Sequence, residues 1–521
     1  MDIPAEIKKT LSILQNSGYE AYIVGGCVRD LLRGISPNDW DITTNAIPEK
    51  IQAVFANAGY KTFYENAFGT VSIITDSEDQ ALKTIEITPF RVESKYTDKR
   101  HPDKVKFAKT LKEDLSRRDF TVNAIALAIG EKSETLNSKS ETNPKSKIQN
   151  LKRNYQLPTT NYQLIDLFNG KEDLENKIIR AVGKPEERFE EDALRLMRAV
   201  RFAATLTSDY LWEIEEKTKS AIEKSAALLQ YISQERIRDE LVKIIMSPNG
   251  ACGLELLRRL GLLRYVLPEL EEGFAIEQNK HHVFQIYSHN LLSLHYACRN
   301  NFTLEVRLAA LLHDIAKPRT KRGEGENATF HNHEIISAKM AEKILRRLCF
   351  PKKQSEKIIK LVRFHLFYYN VDEVGASSVR RLMRNIGQEN IEDLLQVRKA
   401  DRIGSGVPKA EPYKLRHLKY LFDKVRQDPI APKMLAINGQ DIMKLLNIQP
   451  GPKVGHILSY LLSQVLSQPE KNKKDFLEQE IKKLGTLPDQ ELQKLANQAK
   501  KEVEQVETKR DEMTKQKYWV T

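Results

Sequence analysis

Only four cysteines occur in 521 residues, at Cys27, Cys252, Cys298 and Cys349. They lie far apart and form no C-x-x-C pair. Neither a disulfide framework nor a thiolate zinc site is indicated, and a reducing, cytoplasmic setting is expected. No apolar run approaches the roughly 20 residues that span a bilayer, so no membrane is expected. Residues 1–6 lack the basic and apolar pattern of a secretory signal. There is no internal repeat. What the chain does have is 40% apolar and 30% charged residues, a net charge of +12 and a pI near 9.2. The length fits about three or four domains of roughly 150 residues. The positive balance fits a polyanionic partner without demanding one.

Residues 1–130 read as mixed α/β. A helix over 5–16 precedes a strand at 21–24. Helix-like 28–33, a strand around residues 39–42, a helix over 48–58 and β-rich stretches at 70–75 and 84–88 follow. Residues 131–160, rich in Ser, Thr, Asn and Lys, read as a disordered insertion. From residue 178 onward the pattern is almost wholly helical. It ends in a Lys/Glu-rich stretch, about 497–517, that suits a solvated helix or tail.

The chemistry concentrates first in Gly25-Gly26-Cys27-Val28-Arg29-Asp30 and Asn38-Asp39-Trp40-Asp41-Ile42-Thr43. The apolar run Tyr22-Ile23-Val24 stops at two glycines, which let a backbone approach a bound triphosphate without a Cβ clash. Arg29 offers a fork of donors for phosphate oxygens. In a strand, residues i and i+2 share a face, so Asp39 and Asp41 aim together while Trp40 and Ile42 turn to the core. Two converging carboxylates beside a glycine turn suit Mg²⁺, with paired ions about 3.5–4 Å apart. Glu86, on the polar face of the 84–88 strand, is a candidate third carboxylate or a solvated strand residue. Arg117-Arg118-Asp119-Phe120-Thr121-Val122-Asn123 would supply charge neutralisation near such a site. In 191–201, a helical pattern fans Asp192, Arg195, Arg198 and Arg201 over one half of the helix. That is either an ion-pair series on a wet face or a surface that imitates a base-pairing partner. An Asp that accepts and an Arg that donates match the edges of cytosine and adenine and leave uracil and guanine unpaired.

These motifs, in this order, resemble the bacterial-type (class II) tRNA nucleotidyltransferase and poly(A) polymerase family. The resemblance rests on GGCVRD at 25–30, DWD at 39–41, the run 116–124, DLFNGKEDL at 166–174 and EDALRLMRAVRF at 191–202. It implies an α+β protein: a polymerase-β-like nucleotidyltransferase head with a mixed sheet and helices, then all-α neck, body, HD and tail regions. The parts would be a catalytic head at 1–130, the insertion at 131–160 and a helical neck and body at 161–275. A metal-binding domain at 276–430 and a tRNA-binding tail at 431–521 would follow. It implies Asp39 and Asp41 as catalytic metal carboxylates and Gly25, Gly26, Arg29 and Arg118 at the triphosphate. Asp192 and Arg195 would select the base, with Arg198 and Arg201 supporting the nucleotide. Residues 90–100 resemble the flexible loop of the family's A-incorporating members. Residues 435–441 and 450–455 resemble its C-terminal region.

A second set is histidine-based. His313 and Asp314 close an apolar helical run at 308–312, and a buried polar pair of this kind needs partners. His289 precedes them; His333, His365 and Asp401 follow. His and carboxylate ligands together suit Mn²⁺, Fe²⁺, Ni²⁺ or Zn²⁺. Six candidate ligands in this order resemble the HD phosphohydrolase domain, with His333 favoured over His331 because it opens the His-Glu pair. The expectation is therefore a template-independent enzyme that adds C, C and A to tRNA from CTP and ATP. The rivals are an A-adding or poly(A)-synthesising enzyme, an HD-type phosphohydrolase with an RNA-binding head, and a non-catalytic tRNA-binding module.

Overall fold

The computed structural model describes residues 3–520 apart from 65–68, 95–103, 130–154, 157–161, 208, 279–282, 368, 372–375 and 427–434. The chain forms two compact units. One comprises residues 1–365 with 393–407; the other comprises 366–392 with 408–521.

The first unit opens with helix α1 (Ala5–Asn16), strand β1 (Ala21–Val24), α2 (Gly26–Leu32), β2 (Asp41–Thr44) and α3 (Pro48–Asn57). Strands β3 (Lys61–Tyr64) and β4 (Val71–Ile74), the single-turn α4 (Gln80–Lys83) and β5 (Thr84–Pro89) come next. A separate hairpin pairs β6 (Arg91–Ser94) with β7 (Lys104–Phe107). Helix α5 (Leu111–Ser116) and strands β8 (Ile125–Ile129), β9 (Tyr155–Gln156) and β10 (Tyr162–Asp166) complete the head. The main sheet runs β3-β4-β5-β2-β1-β8-β10-β9. It is mixed: β2 pairs β5 in parallel and its other neighbours pair antiparallel. On one side Ile7, Leu11 and Leu14 of α1 and Ile51 and Phe55 of α3 pack with Ile23, Ile42, Ile73 and Ile87 of the sheet.

Two departures from the sequence reading concern this sheet. It takes β9 and β10 from beyond residue 130, where the head was expected to end. Strand β10 pairs with β8 over five residues, from Tyr162 opposite Ile129 to Asp166 opposite Ile125. Of the expected 131–160 insertion, only Tyr155 and Gln156 lie among the described residues, as strand β9. Of the 90–100 loop, residues 95–100 lie outside them. Helix α6 (Gly170–Asn176) follows β10, and its first residue explains the motif at 166–174. A Cβ on Gly170 would stand 2.1 Å from the Thr121 carbonyl oxygen, so the contact admits only glycine.

Among the described residues the rest is helical apart from a small parallel pair, Ile178–Ile179 with Glu213–Ile214, and isolated bridges such as Arg322 with Thr329, in keeping with a stretch read as almost wholly helical. Helices α7 (Pro185–Glu191), α8 (Leu194–Thr205), α9 (Glu216–Ser225) and α10 (Gln234–Met246) pack behind the head. The second unit has its own core, with Ile437, Ile442, Ile457, Leu461, Leu477, Ile481 and Leu492 buried between its helices. Among the described residues, no helix is long and apolar enough to cross a membrane.

Candidate active site and a buried histidine cluster

Strand β1 ends at a glycine whose conformation shapes the site. Gly25 has φ +88°, the left-handed region that side chains avoid, and its backbone caps the N-terminus of α2. A Cβ there would stand 2.9 Å from Arg118 Nη1 and 3.5 Å from Asp41 Oδ2. Gly25, Asp41 and Arg118 therefore share one cradle. Gly26 opens α2, and a Cβ on it would come within 3.6 Å of Arg29 Nη2.

Asp41 is the first residue of β2, whereas Asp39 sits in the bend before it. The strand alternation expected to align the pair therefore begins only at Asp41. The buried Trp40 and Ile42 anchor the segment as expected. Burial pushes the Asp41 carboxyl above its usual range, and the Asp39 charge adds to this; the Arg118 guanidinium opposes them only in part. A carboxylate held this way is relieved by a cation, so this donor set fits a divalent metal ion. Glu86 lies directly beside Asp41 on β5 and is exposed between buried Ile85 and Ile87, on the side open to the site.

Arg29 forks onto Asp30 at 2.9 Å through both donors, and its Nη1 donates to Asn123 Oδ1 at 2.8 Å. Arg118 Nη1 donates to the Asn123 carbonyl at 3.5 Å. Asn123 thus joins the two arginines that the sequence proposes for the triphosphate. Its own Nδ2 donates to Asp119. Arg117 is committed elsewhere: it forks onto the fully buried Asp114 at 3.0 and 2.7 Å. Burial alone would raise the Asp114 carboxyl, but Arg117 and Arg118 hold it below its usual range.

The expected base-selecting helix is not one helix. It breaks at Asp192, which ends α7 in an extended conformation and accepts from the Leu194 amide at 3.1 Å. Asp and its short acceptor compete with helix hydrogen bonds in this way. Asp192 and Arg195 therefore do not share a helix face, and each has its own partner. Arg236 of α10 forks onto Asp192 at 3.2 and 2.8 Å. Arg195 is buried, not on a wet face. Its Nη1 donates to Glu191 at 2.6 Å and to the Arg188 carbonyl, and its Nη2 donates to the Arg117 carbonyl at 3.0 Å. Arg198 forks onto Asp119 at 2.8 and 2.5 Å, tying α8 to the Arg118–Asn123 segment. Arg201 pairs with Glu240 at 2.7 Å and lies over the Phe202 ring. Burial pushes its guanidinium down to about 10.

Asp114, Asp119, Asn123, Glu191, Arg236 and Glu240 were not singled out from the sequence. Asp119 and Asn123 lie inside one motif that was, and Glu191 opens another. Arg236 and Glu240 stand on one face of α10 with no pattern to mark them.

The histidine set also assembles. His289 comes from helix Ile286–Arg299, and His313 and Asp314 follow helix Leu304–Leu312. His333 opens helix His333–Arg347, His365 caps Lys352–Phe364, and Asp401 lies in Ile391–Gly404. All six side chains are buried; His331 is exposed and takes no part. The geometry groups His289, His313 and Asp401, and His313, Asp314 and His365, closely enough to hold a metal ion. Burial would lower the His313 imidazole, but Asp314 and Asp401 raise it to about 10. Burial and the His313 charge push His365 down to about 3. The two carboxylates call for positive charge, which His313 carries and His365 does not; a metal ion among these ligands would supply it instead.

Comparison with known proteins places the whole chain. The family description "Poly A polymerase head domain" matches residues 21–138, an RNA and SrmB-binding site of polymerase A matches 212–274, and tRNA nucleotidyltransferase domain 2 matches 329–481. The CCA-adding enzyme of Lactobacillus helveticus is 32% identical over 484 residues, covering 93% of this chain and 98% of its own. That of Ligilactobacillus salivarius is 33% identical, with the same coverage. The A-adding tRNA nucleotidyltransferase of Deinococcus radiodurans is 30% identical, covering 85% and 90%. Among solved structures, the Bacillus stearothermophilus CCA-adding enzyme in complex with CTP superposes with a TM-score of 0.54 at 26% identity, covering 92% of this chain and 98% of that one. With the cradle around Gly25, Asp41 and Arg118 set in a mixed-sheet head and followed by helical units, the chain belongs to the CCA-adding enzyme family of nucleotidyltransferases.

Proposed function

We propose that the protein adds C, C and A to the 3′ end of tRNA from CTP and ATP, releasing pyrophosphate. The observation that carries this is the cradle in which Gly25, Asp41 and Arg118 meet, in a chain whose relatives are CCA-adding enzymes over nearly their full length. In the reaction, the terminal ribose 3′-oxygen bonds to the α-phosphorus and the bond to the pyrophosphate oxygen breaks. Mg²⁺ held by Asp39 and Asp41, with Glu86 beside them, would neutralise the triphosphate and acidify the attacking hydroxyl. Arg29 and Arg118, held by Asn123, offer donors to the phosphate oxygens, and the Gly25 backbone leaves them room. Asp192 and Arg195 read the base. Arg236 and Glu191 hold those two side chains, and Arg198 and Arg201 brace the helix behind them.

The test is extension of tRNA lacking its last three nucleotides, one nucleotide at a time. CTP alone should add two residues, and ATP should complete the end only after them. If CTP gives no extension while ATP extends a tRNA already ending in CC, the enzyme is A-adding, like its Deinococcus relative.

Base selection gives a second prediction. Arg195→Ala should relax discrimination against UTP and GTP by about 10–100-fold, because a good bidentate contact discriminates by roughly 1–3 kcal/mol. Arg236→Ala should act in the same direction through the loosened Asp192. The check is kcat/KM for all four nucleotides; equal losses with all four would remove this helix from base reading.

The histidine cluster supports a further reading, a metal-dependent phosphohydrolase site using Mn²⁺, Ni²⁺, Fe²⁺ or Zn²⁺. The convergence of six buried ligand residues carries it. We assign the parts as a head that runs on to β10, a helical neck and body, the histidine domain and a tRNA-binding tail. All four cysteines are free, which fits our placing of the reaction in the reducing cytoplasm.

A further inference from the structure

We infer that Phe202 is a positioning residue: its ring holds Arg29 of the head against helix α8, so that the phosphates and the base of one nucleotide are met in a single register. This rests on the reading of Arg29 as a phosphate donor and of α8 as the support of the base-reading pair. It adds a residue that neither role includes.

Three like charges crowd around this one buried ring. Phe202 is 4% exposed. The guanidinium carbon of Arg201 lies 3.9 Å from the ring centroid, that of Arg198 5.3 Å and that of Arg29 5.5 Å. Phe120 meets the same ring edge-on, with centroids 5.7 Å apart. Arg198 stands one turn before Phe202 on the same face of α8. Arg29 comes from α2, beside the glycine cradle.

Guanidinium groups this close repel one another. Burial lowers the Arg201 guanidinium, Glu240 and Asp119 oppose that fall, and the Arg198 and Arg29 charges add to it. Each arginine also has its own carboxylate: Asp30 for Arg29, Asp119 for Arg198 and Glu240 for Arg201. The ring supplies something different, the negative face of its quadrupole. That face attracts a guanidinium without claiming its N–H donors. A carboxylate in the same place would take donors that a phosphate needs. An aliphatic side chain would fill the space and leave the repulsion unanswered.

The contacts close a circuit. Arg29 Nη1 donates to Asn123 Oδ1, Asn123 Nδ2 donates to Asp119, and Arg198 forks onto Asp119. The Phe202 ring joins the two ends of that chain, Arg198 and Arg29. The hydrogen-bonded arm aims Arg29, and the ring keeps it against α8. Arg195 rides on the same helix, so a shift of α8 away from Arg29 moves the base contact relative to the phosphates. Misplacement on that scale weakens a bound nucleotide even when every contacting group is present.

The test replaces ring hydrogens of Phe202 with fluorine, using phenylalanine analogues that carry one, two and three fluorines at this position. Fluorine drains the ring face and leaves shape and apolar burial nearly as they were. Extension of tRNAs lacking the last three nucleotides or the last one gives kcat and KM for CTP and ATP. KM for both nucleotides should rise stepwise, to about 10-fold for three fluorines, with kcat held within about twofold and circular dichroism unchanged. Phe202→Leu, which has no ring, should raise KM at least as far. A KM that stays level along the fluorinated series overturns the role. A rise in Phe202→Leu alone overturns it too and assigns Phe202 to packing. Extension that fails in the unsubstituted protein overturns the nucleotide-addition reading, and this role with it.

Discussion

Asp41→Ala should lower kcat for nucleotide addition by about a thousandfold or more while leaving the melting temperature unchanged or slightly higher. The size follows from removing a group that neutralises charge in the transition state, where single contacts are worth roughly two to three orders of magnitude and a metal ligand more. The stability half follows from the sign of its shift. A carboxyl raised by burial and by the Asp39 charge is worse off ionised in the folded chain than in the unfolded one. Above its unfolded pKa of about 4 it therefore subtracts from stability, and alanine removes that penalty. A side chain important only for structure would do the reverse. Paired measurement of kcat by primer extension and of thermal unfolding separates the two. Activity within tenfold of the parent would remove Asp41 from the chemistry.

Much of this site can be read from residue order alone, because local physics makes it. The glycine pair after an apolar strand and Ile85 and Ile87 flanking Glu86 are consequences of glycine's freedom and of the two-residue strand period, while Trp40 turns inward from just before β2. Helix α1 and strand β1 stand where their patterns put them. The parts that escaped reading depend on partners distant in sequence. Strand β10 joins the sheet through β8, more than thirty residues earlier across a segment of low complexity. No periodicity of its own assigns it to the head. Asp192 carries an apt helical spacing from Arg195, yet its side chain caps a backbone amide and breaks the helix there. The spacing argument assumed a continuous helix, and the local competition of a short carboxylate overrode it. A wet-face ion-pair series stayed open as a reading of Arg195 because one of the acceptors that bury it, the Arg117 carbonyl, belongs to another segment, although Glu191 and the Arg188 carbonyl are local. The six histidine-cluster residues were legible as a set through resemblance.

Asp119→Ala should cost about 2–4 kcal/mol of stability at neutral pH, the range for breaking a buried pair, reduced because Arg198 keeps a third of its side chain exposed. The carboxylate is nearly buried. It accepts from the Phe120 amide at 2.8 Å, from Asn123 Nδ2 at 3.1 Å and twice from Arg198. Burial alone would raise its pKa, but Arg198 and Asn123 hold it well below the usual carboxylate range. The sign is then fixed. Its contribution is full above the unfolded value near 4 and fades as pH falls below that toward the lower folded value. Denaturant unfolding of parent and variant should show a gap that is constant from neutral pH to about 5 and narrows in more acidic buffer. A gap that persists undiminished under acid would assign the loss to packing and not to charge. Function should fall in a particular way too. Asn123 loses the anchor that lets it hold Arg29 and Arg118, so kcat/KM should drop by a similar factor with every nucleotide. The Arg195 and Arg236 variants should instead change the ranking among nucleotides. The two patterns distinguish residues that hold the phosphates from residues that read the base.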